Sequence, residues 1–242
     1  MQYFDEIINL LSEIRDSQSQ IMEKAAHIIA DAILADHLIY VFGATHAGIL
    51  AQELFYRAGG LVPVNPILPP GLVTNIRPST LTSRLERLPG FGTQIVAESA
   101  MEAGDVLIVH SVSGRNAAAV EVAQGAKERG VYVIALTSIT YSKSVKPRKP
   151  GAPRLFEVGD LVLDNHAPIG DAIIEIPGME QKVGPTSTVT GAAILNAIIV
   201  EATRILMLHD GNPPVFMSAN LDGGDAYNKK WLEHYKGRLT YM

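Results

Sequence analysis

The chain has no cysteine, a single tryptophan and no excess of positive charge, and each lack narrows what it can do. Without cysteine there is no disulfide framework, no thiolate nucleophile and no Cys-based metal site. Twenty Lys and Arg stand against 25 Asp and Glu, a net charge of −5. Nothing global therefore attracts nucleic acid or an anionic membrane, and any phosphate must be held locally. The N-terminus, MQYFDEIINLLSEIRD, has no basic segment followed by an apolar core, so it reads as mature sequence and not as a secretion signal. Long charge-free apolar runs are also missing. The most apolar stretch, Gly191 to Leu208, contains Asn196, Glu201 and Arg204, whose cost at bilayer depth favours a buried helix. A cytoplasmic protein is expected.

What remains is ordinary globular material: 242 residues, 47% hydrophobic and 19% charged. A domain of that size buries roughly 70–75% of its unfolded surface. One domain over 1–242 is expected, with a helical segment at about 1–35 and a docking tail at about 213–242. Phe4, Ile7, Ile8, Leu11 and Ile14 recur at helical spacing, and the pattern resumes from Ile21 to Leu34, predicting a long or broken amphipathic helix. LIYVF (Leu38 to Phe42), VLIVHS (Val106 to Ser111) and VYVIAL (Val131 to Leu136) read as buried strands, the first two followed by a glycine turn and a helical stretch. LVLD (Leu161 to Asp164) and AIIEI (Ala172 to Ile176) read as later strands, and Thr188 to Leu208 as a closing helix. Apolar strands alternating with helices predict a parallel sheet covered on both faces. Two long connections interrupt the alternation: Asn65 to about Gly92, and the basic, proline-rich Thr140 to Arg154, which reads as a surface excursion.

Ligands of open parallel sheets sit beyond the carboxyl ends of the strands, which directs attention to three turns. SVSGRN brings Ser111, Ser113, Gly114, Arg115 and Asn116 to a strand-to-helix turn. Free amides, a positive dipole end and hydroxyl donors there make either an anion cradle or simple helix caps. GATHAG, following the first strand, offers Gly43, Thr45 and His46, but it is neither of the glycine-rich nucleotide patterns. GPTSTVTG offers Thr186, Ser187 and Thr188 at the start of the last helix, again as caps or anion donors. Three such turns together favour a phosphate site more than any one alone.

The Ser111, Ser113, Gly114, Asn116 pattern resembles the phosphosugar loop of the SIS (sugar isomerase) family. ELFYRAGG, VNPIL, SGRNAAAVE, GPTSTVTGAAILNAIIVE and ANLDGGDAYN resemble an uncharacterised bacterial branch of it, and the likeness covers most of the chain. The resemblance implies a flavodoxin-like three-layer αβα sandwich around a five-stranded parallel sheet, a homodimer or homotetramer, and a site needing neither metal nor organic cofactor. Relatives include aldose–ketose isomerases such as phosphoheptose isomerase, lyases of the N-acetylmuramic acid 6-phosphate etherase type, and non-catalytic sensor domains. Three departures stand out: Ala47 occupies a place where many relatives have a phosphate-binding serine, Asn116 stands where the second loop often ends in Ser or Thr, and Thr188 to Leu208 lacks the histidine of phosphoheptose isomerase.

Isomerisation through an enediol needs a base at carbon and a second proton-transfer group. Glu53 and Glu86 are the candidate bases and His46 the candidate shuttle. Taken singly, either glutamate is better read as a solvated charge or an ion pair with Arg57, Arg84 or Arg87. In the tail, Asn220 and Asp225 are candidates to reach a neighbouring subunit's sugar, or are parts of a turn. The expected function is phosphosugar binding, with isomerisation ahead of sensing or elimination.

Overall fold

In the computed structural model, which describes residues 1–242, the chain folds into three layers around a parallel sheet. Helix α1 (Gln2–Leu34) is continuous. Its buried stripe, Ile7, Leu10, Ile14, Ala25, Ala26, Ile29 and Ile33, follows the helical period. It stops where Asp36 turns left-handed (φ 62°) and the His37 amide returns to the Ala32 carbonyl at 2.8 Å.

The strands are β1 (Ile39–Gly43), β2 (Val64–Ile67), β3 (Val106–His110), β4 (Tyr132–Thr137) and β5 (Leu161–Asp164), in the order β2-β1-β3-β4-β5, all parallel. Alternate residues face opposite layers, and both faces are covered, which is why the strands read as unbroken apolar runs. Val41, Ile108, Ile134 and Leu136 pack under α1, α2 (Ile49–Leu54) and α8 (Ser187–Asp210). Phe42, Leu107, Val109, Val133 and Ala135 pack under the other layer. That layer contains α4 (Phe91–Ala97), α5 (Ala117–Glu128) and α7 (Leu155–Val158). Each such Val, Leu, Ile or Phe side chain, fully buried, contributes roughly 1.5–3 kcal/mol.

Three boundaries differ from the sequence expectation. The fifth strand of the main sheet is Val64–Ile67, not Ala172 to Ile176, so the first long connection starts after Ile67 and itself holds α3 (Thr80–Leu85) and α4. Val64-Asn-Pro-Ile is short and contains proline, which an edge strand tolerates and a pattern search for central strands passes over. Residues Ala172–Ile174 (β6) instead form an antiparallel hairpin with β7 (Val183–Pro185). The second connection is more than an excursion: it holds α6 (Ile139–Ser144), and its end folds back, with the Leu155 amide on the Gly114 carbonyl at 2.8 Å.

The tail docks on its own chain. Phe216, Tyr235 and Leu239 are buried, and Asn65, fully buried on β2, donates to the Arg238 carbonyl (3.0 Å) and accepts from the Thr240 amide (2.9 Å). The tail helix α9 (Gly224–His234) begins within Asp222-Gly-Gly-Asp, after the left-handed Gly223.

Candidate functional site

The strand order reverses between β1 and β3, and Gly43 is the register partner of His110 at their carboxyl ends. The crevice of an open α/β sheet forms at such a reversal. It brings the turn after β1 against the turn after β3.

The first turn is tight. A Cβ on Gly43 would lie 2.4 Å from the Ala47 carbonyl carbon, so only glycine fits. Thr45 is held left-handed (φ 59°), with its amide on the Leu72 carbonyl at 2.7 Å, a costly conformation for a β-branched residue. His46 is exposed and Ala47 presents no hydroxyl. The helix that follows, α2, has six residues.

The second turn is open for an anion. Asn116 is the N-cap residue of α5 yet makes no side-chain cap. The amides of Ser113, Arg115, Asn116 and Ala117 have no acceptor in the chain. Gly114 is left-handed (φ 57°) and sits against Ser142, Thr137 and Leu155, which fixes the loop's path. Unpaired amides at the positive end of a 12-residue helix, beside two serines, are the donors that an anion cradle requires.

The third turn is closed. Asp171 accepts from the Thr186 and Ser187 amides (3.1 and 2.8 Å) and from their hydroxyls (3.0 and 2.7 Å). The protein's own carboxylate thus occupies the start of α8, and Thr186 and Ser187 are not free donors, contrary to their reading as phosphate contacts. Thr188, next along the helix, is half-buried.

The two glutamates differ. Glu53 pairs with Arg57 and accepts from Asn196 Nδ2 at 3.0 Å, so the ion-pair reading describes it. Glu86 lies at the end of α3, its carbonyl accepting from the Ala118 amide at 3.0 Å. Burial pushes the Glu86 carboxyl above its ordinary range, opposed by Arg87, the Asn116 side chain and Arg148. A half-buried carboxylate beside the free end of α5 is a competent proton acceptor.

One titratable group escaped the sequence reading. His110 ends β3, is 1% exposed and has Nδ1 3.2 Å from the Ala47 carbonyl. Its Nε2 has no partner, and burial pushes its pKa down to about 4. The available signal was its place, last in a buried strand at the ligand end of the sheet. No histidine precedes His209 in α8, and a rise of 1.5 Å per residue puts that residue roughly 33 Å beyond Ser187. Asn220 and Asp225 are exposed, and neither is hydrogen-bonded to the three turns. No cluster of three or more His, Asp or Glu suits a metal ion. A cavity of about 400 Å³, lined by Pro66 to Pro70, Phe91 and Ile95, has none of these groups in its walls.

A crevice at a strand-order reversal, with a bare helix end and a nearby carboxylate, is an arrangement that can take a small anionic ligand. The SIS domain family model matches residues 2–138. The chain is 48% identical over 241 residues to a UPF0309 protein of Shouchella clausii (strain KSM-K16), covering 100% of this chain and 98% of that one. It is 44% identical over 241 residues to a UPF0309 protein of Oceanobacillus iheyensis, again covering 100% and 98%. The chain belongs to the SIS domain family and, with these relatives, to the UPF0309 proteins. Solved structures with a similar fold include a phosphoheptose isomerase from Francisella tularensis, with TM-score 0.56, 15% identity and coverage of 84% of this chain and 95% of that one. Another is a phosphoheptose isomerase from Neisseria gonorrhoeae, with TM-score 0.52, 22% identity and coverage of 84% and 95%.

Proposed function

We propose that this protein binds a phosphorylated sugar with its phosphate at the start of α5, and that it isomerises the sugar between aldose and ketose forms. The observation that carries the reading is the contrast between two helix starts: α8 is filled by Asp171, whereas α5 presents unpaired amides beside Ser111 and Ser113. The phosphate then takes the amides of Ser113 and of Arg115 to Ala117, the two serine hydroxyls and the Arg115 side chain, and Thr45 borders the sugar from the first turn. Glu86, raised by burial, serves as the base at carbon, and His46 passes the proton between the sugar oxygens. Glu53, held by Arg57 and Asn196, orders α2 against α8. Exposed Phe4 and Ile8 on the first turns of α1 are apolar surface suited to a second copy in a homodimer.

The same site without turnover is a sugar-phosphate sensor, a reading favoured by Ala47 and by the engagement of Glu53. A thermal-shift panel of hexose, heptose, pentose and amino-sugar phosphates, each beside its unphosphorylated sugar, tests the binding. Ligand at about 100 times its Kd stabilises by roughly 2.7 kcal/mol, a rise in Tm of about 5–10 °C. A rise with the phosphate alone supports the reading, and no rise with any member rejects it. Exchange of solvent deuterium into the bound sugar at the carbon beside the carbonyl separates isomerase from sensor.

A further inference from the structure

Next to the phosphate loop, the first turns of α5 border a cavity of about 250 Å³, with Arg115 and Lys149 among its walls and Gln124 and Pro150 beside them. Arg115 Nε is buried with no hydrogen-bond partner. A guanidinium N–H can only donate, and leaving such a donor unpaired is costly. Arg148 is fixed alongside: its Nε donates to Asn116 Oδ1 at 3.2 Å and its amide to the Arg115 carbonyl at 3.3 Å. Burial and then the charges of Arg115 and Arg87 depress the Arg148 guanidinium, so Arg148 lies within the field of both.

None of Arg87, Arg115, Arg148 and Lys149 forms a salt bridge. The two neighbouring carboxylates are engaged elsewhere. Glu121 accepts from the Gly90 amide with both oxygens at 2.9 Å and from the Gly92 amide at 3.0 Å, and Glu86 takes the Asn116 side chain. Arg115 and Lys149 line the cavity with a single carboxylate, Glu121, which is turned to the Gly90 and Gly92 amides, so positive charge is in excess there. The chain brings the four unbridged cations from three separate segments, and like charges held together are stabilised when an oxyanion enters among them.

We propose that this cavity is a second oxyanion subsite, so that the ligand is a sugar phosphate carrying a further acidic group, a carboxylate or a second phosphate. The inference rests on the phosphosugar reading. The phosphate occupies the free amides between Ser113 and Ala117, and the second group lies on the outer side of Arg115, against Lys149 and Arg148.

Three small probes free of sugar stereochemistry test it by NMR titration of the full chain: glycerol 3-phosphate, 3-phosphoglycerate and pyrophosphate. Glycerol 3-phosphate shifting the amides between Ser113 and Ala117 supports the phosphosugar reading by itself. The inference expects 3-phosphoglycerate or pyrophosphate to bind about tenfold tighter than glycerol 3-phosphate, the size of one charge-assisted hydrogen bond. Which of the two gains identifies the second group as carboxylate or phosphate. In the double variant Arg148→Ala/Lys149→Ala, on an exposed loop, the preferred probe should fall to within about twofold of glycerol 3-phosphate. Equal affinities in the wild type overturn the inference and leave the phosphosugar reading standing, as does a variant that weakens all three probes alike. If no probe shifts the loop amides, both fall.

Discussion

The His110 imidazole joins two turns of the site: Nδ1 lies 3.2 Å from the Ala47 carbonyl, while Nε2 is buried without a partner. With the carbonyl accepting, Nδ1 carries the proton and the ring is neutral. Burial pushes its pKa down to about 4, from 6.5 in the unfolded chain. Between those values the unfolded chain takes a proton that the folded chain refuses. Stability from this group is therefore complete above about pH 6.5 and is lost as pH falls towards 4, by about 3 kcal/mol at most. The difference in unfolding free energy between the wild type and His110→Leu, measured from pH 7 to pH 4, should shift by that amount in favour of the variant. A constant difference across the window would show that His110 is solvated.

The Asp171 carboxylate accepts four hydrogen bonds from Thr186 and Ser187, with the Asp171 backbone left-handed at φ 67°. Asn tolerates that backbone but loses the charge and one acceptor oxygen. Asp171→Asn should cost about 1–2 kcal/mol, the worth of a helix cap, and lower Tm by roughly 2–8 °C. A calorimetric Tm equal to the wild type would contradict this role.

Gly114 combines φ 57° with close neighbours: an added Cβ would lie 3.0 Å from Ser142 Oγ and 3.2 Å from Thr137 Oγ1. Gly114→Ala should distort the cradle, abolishing the phosphate-dependent rise in Tm while costing about 1–2 kcal/mol of stability. The conservative partner, Ser113→Ala, removes one hydroxyl with the backbone intact and should weaken phosphate binding about tenfold with Tm nearly unchanged. Retained affinity in both variants would place the phosphate elsewhere.

Glu86 and Glu53 separate by assay. Glu86→Gln should bind a phosphosugar yet lose deuterium exchange at carbon by a factor of at least about 10². Glu53→Gln breaks the Arg57 pair and should show its effect on Tm first. The reverse pattern would make Glu53 the base.

Asn65 is fully buried and holds residues 238 to 240 through two hydrogen bonds. Asn65→Ala should cost about 2–3 kcal/mol and speed proteolysis of the C-terminus. Truncation after Ala219 should impair folding before it impairs ligand binding, because Tyr235 and Leu239 belong to the core. A truncated chain with wild-type Tm would refute this.

Much of the architecture was legible in the sequence because local patterns report buried faces. The continuous runs Ile39 to Phe42, Val106 to Val109 and Val133 to Leu136 announce strands covered on both sides, and the Ile7 to Ile33 stripe announces α1. Val64–Ile67 escaped because an edge strand is short and tolerates proline. The site was legible as residue types but not as partners. Three hydroxyl-rich turns look alike in sequence, and which of them is filled depends on Asp171, 15 residues before Thr186 and brought to it by the β6–β7 hairpin.

The sequence by itself determined the parallel α/β class, the absence of thiol chemistry and the placing of polar turns after apolar strands, since these follow from periodicity and composition within short windows. Only the tertiary structure decided that α5 keeps a bare end while α8 does not, that Glu53 is paired and Glu86 is raised, and that His110 and the unpaired cations Arg87, Arg115 and Arg148 stand beside the cradle. Hydrogen-bond satisfaction and burial are set by residues far apart in the chain, and those are the quantities that separate a helix cap from a binding site.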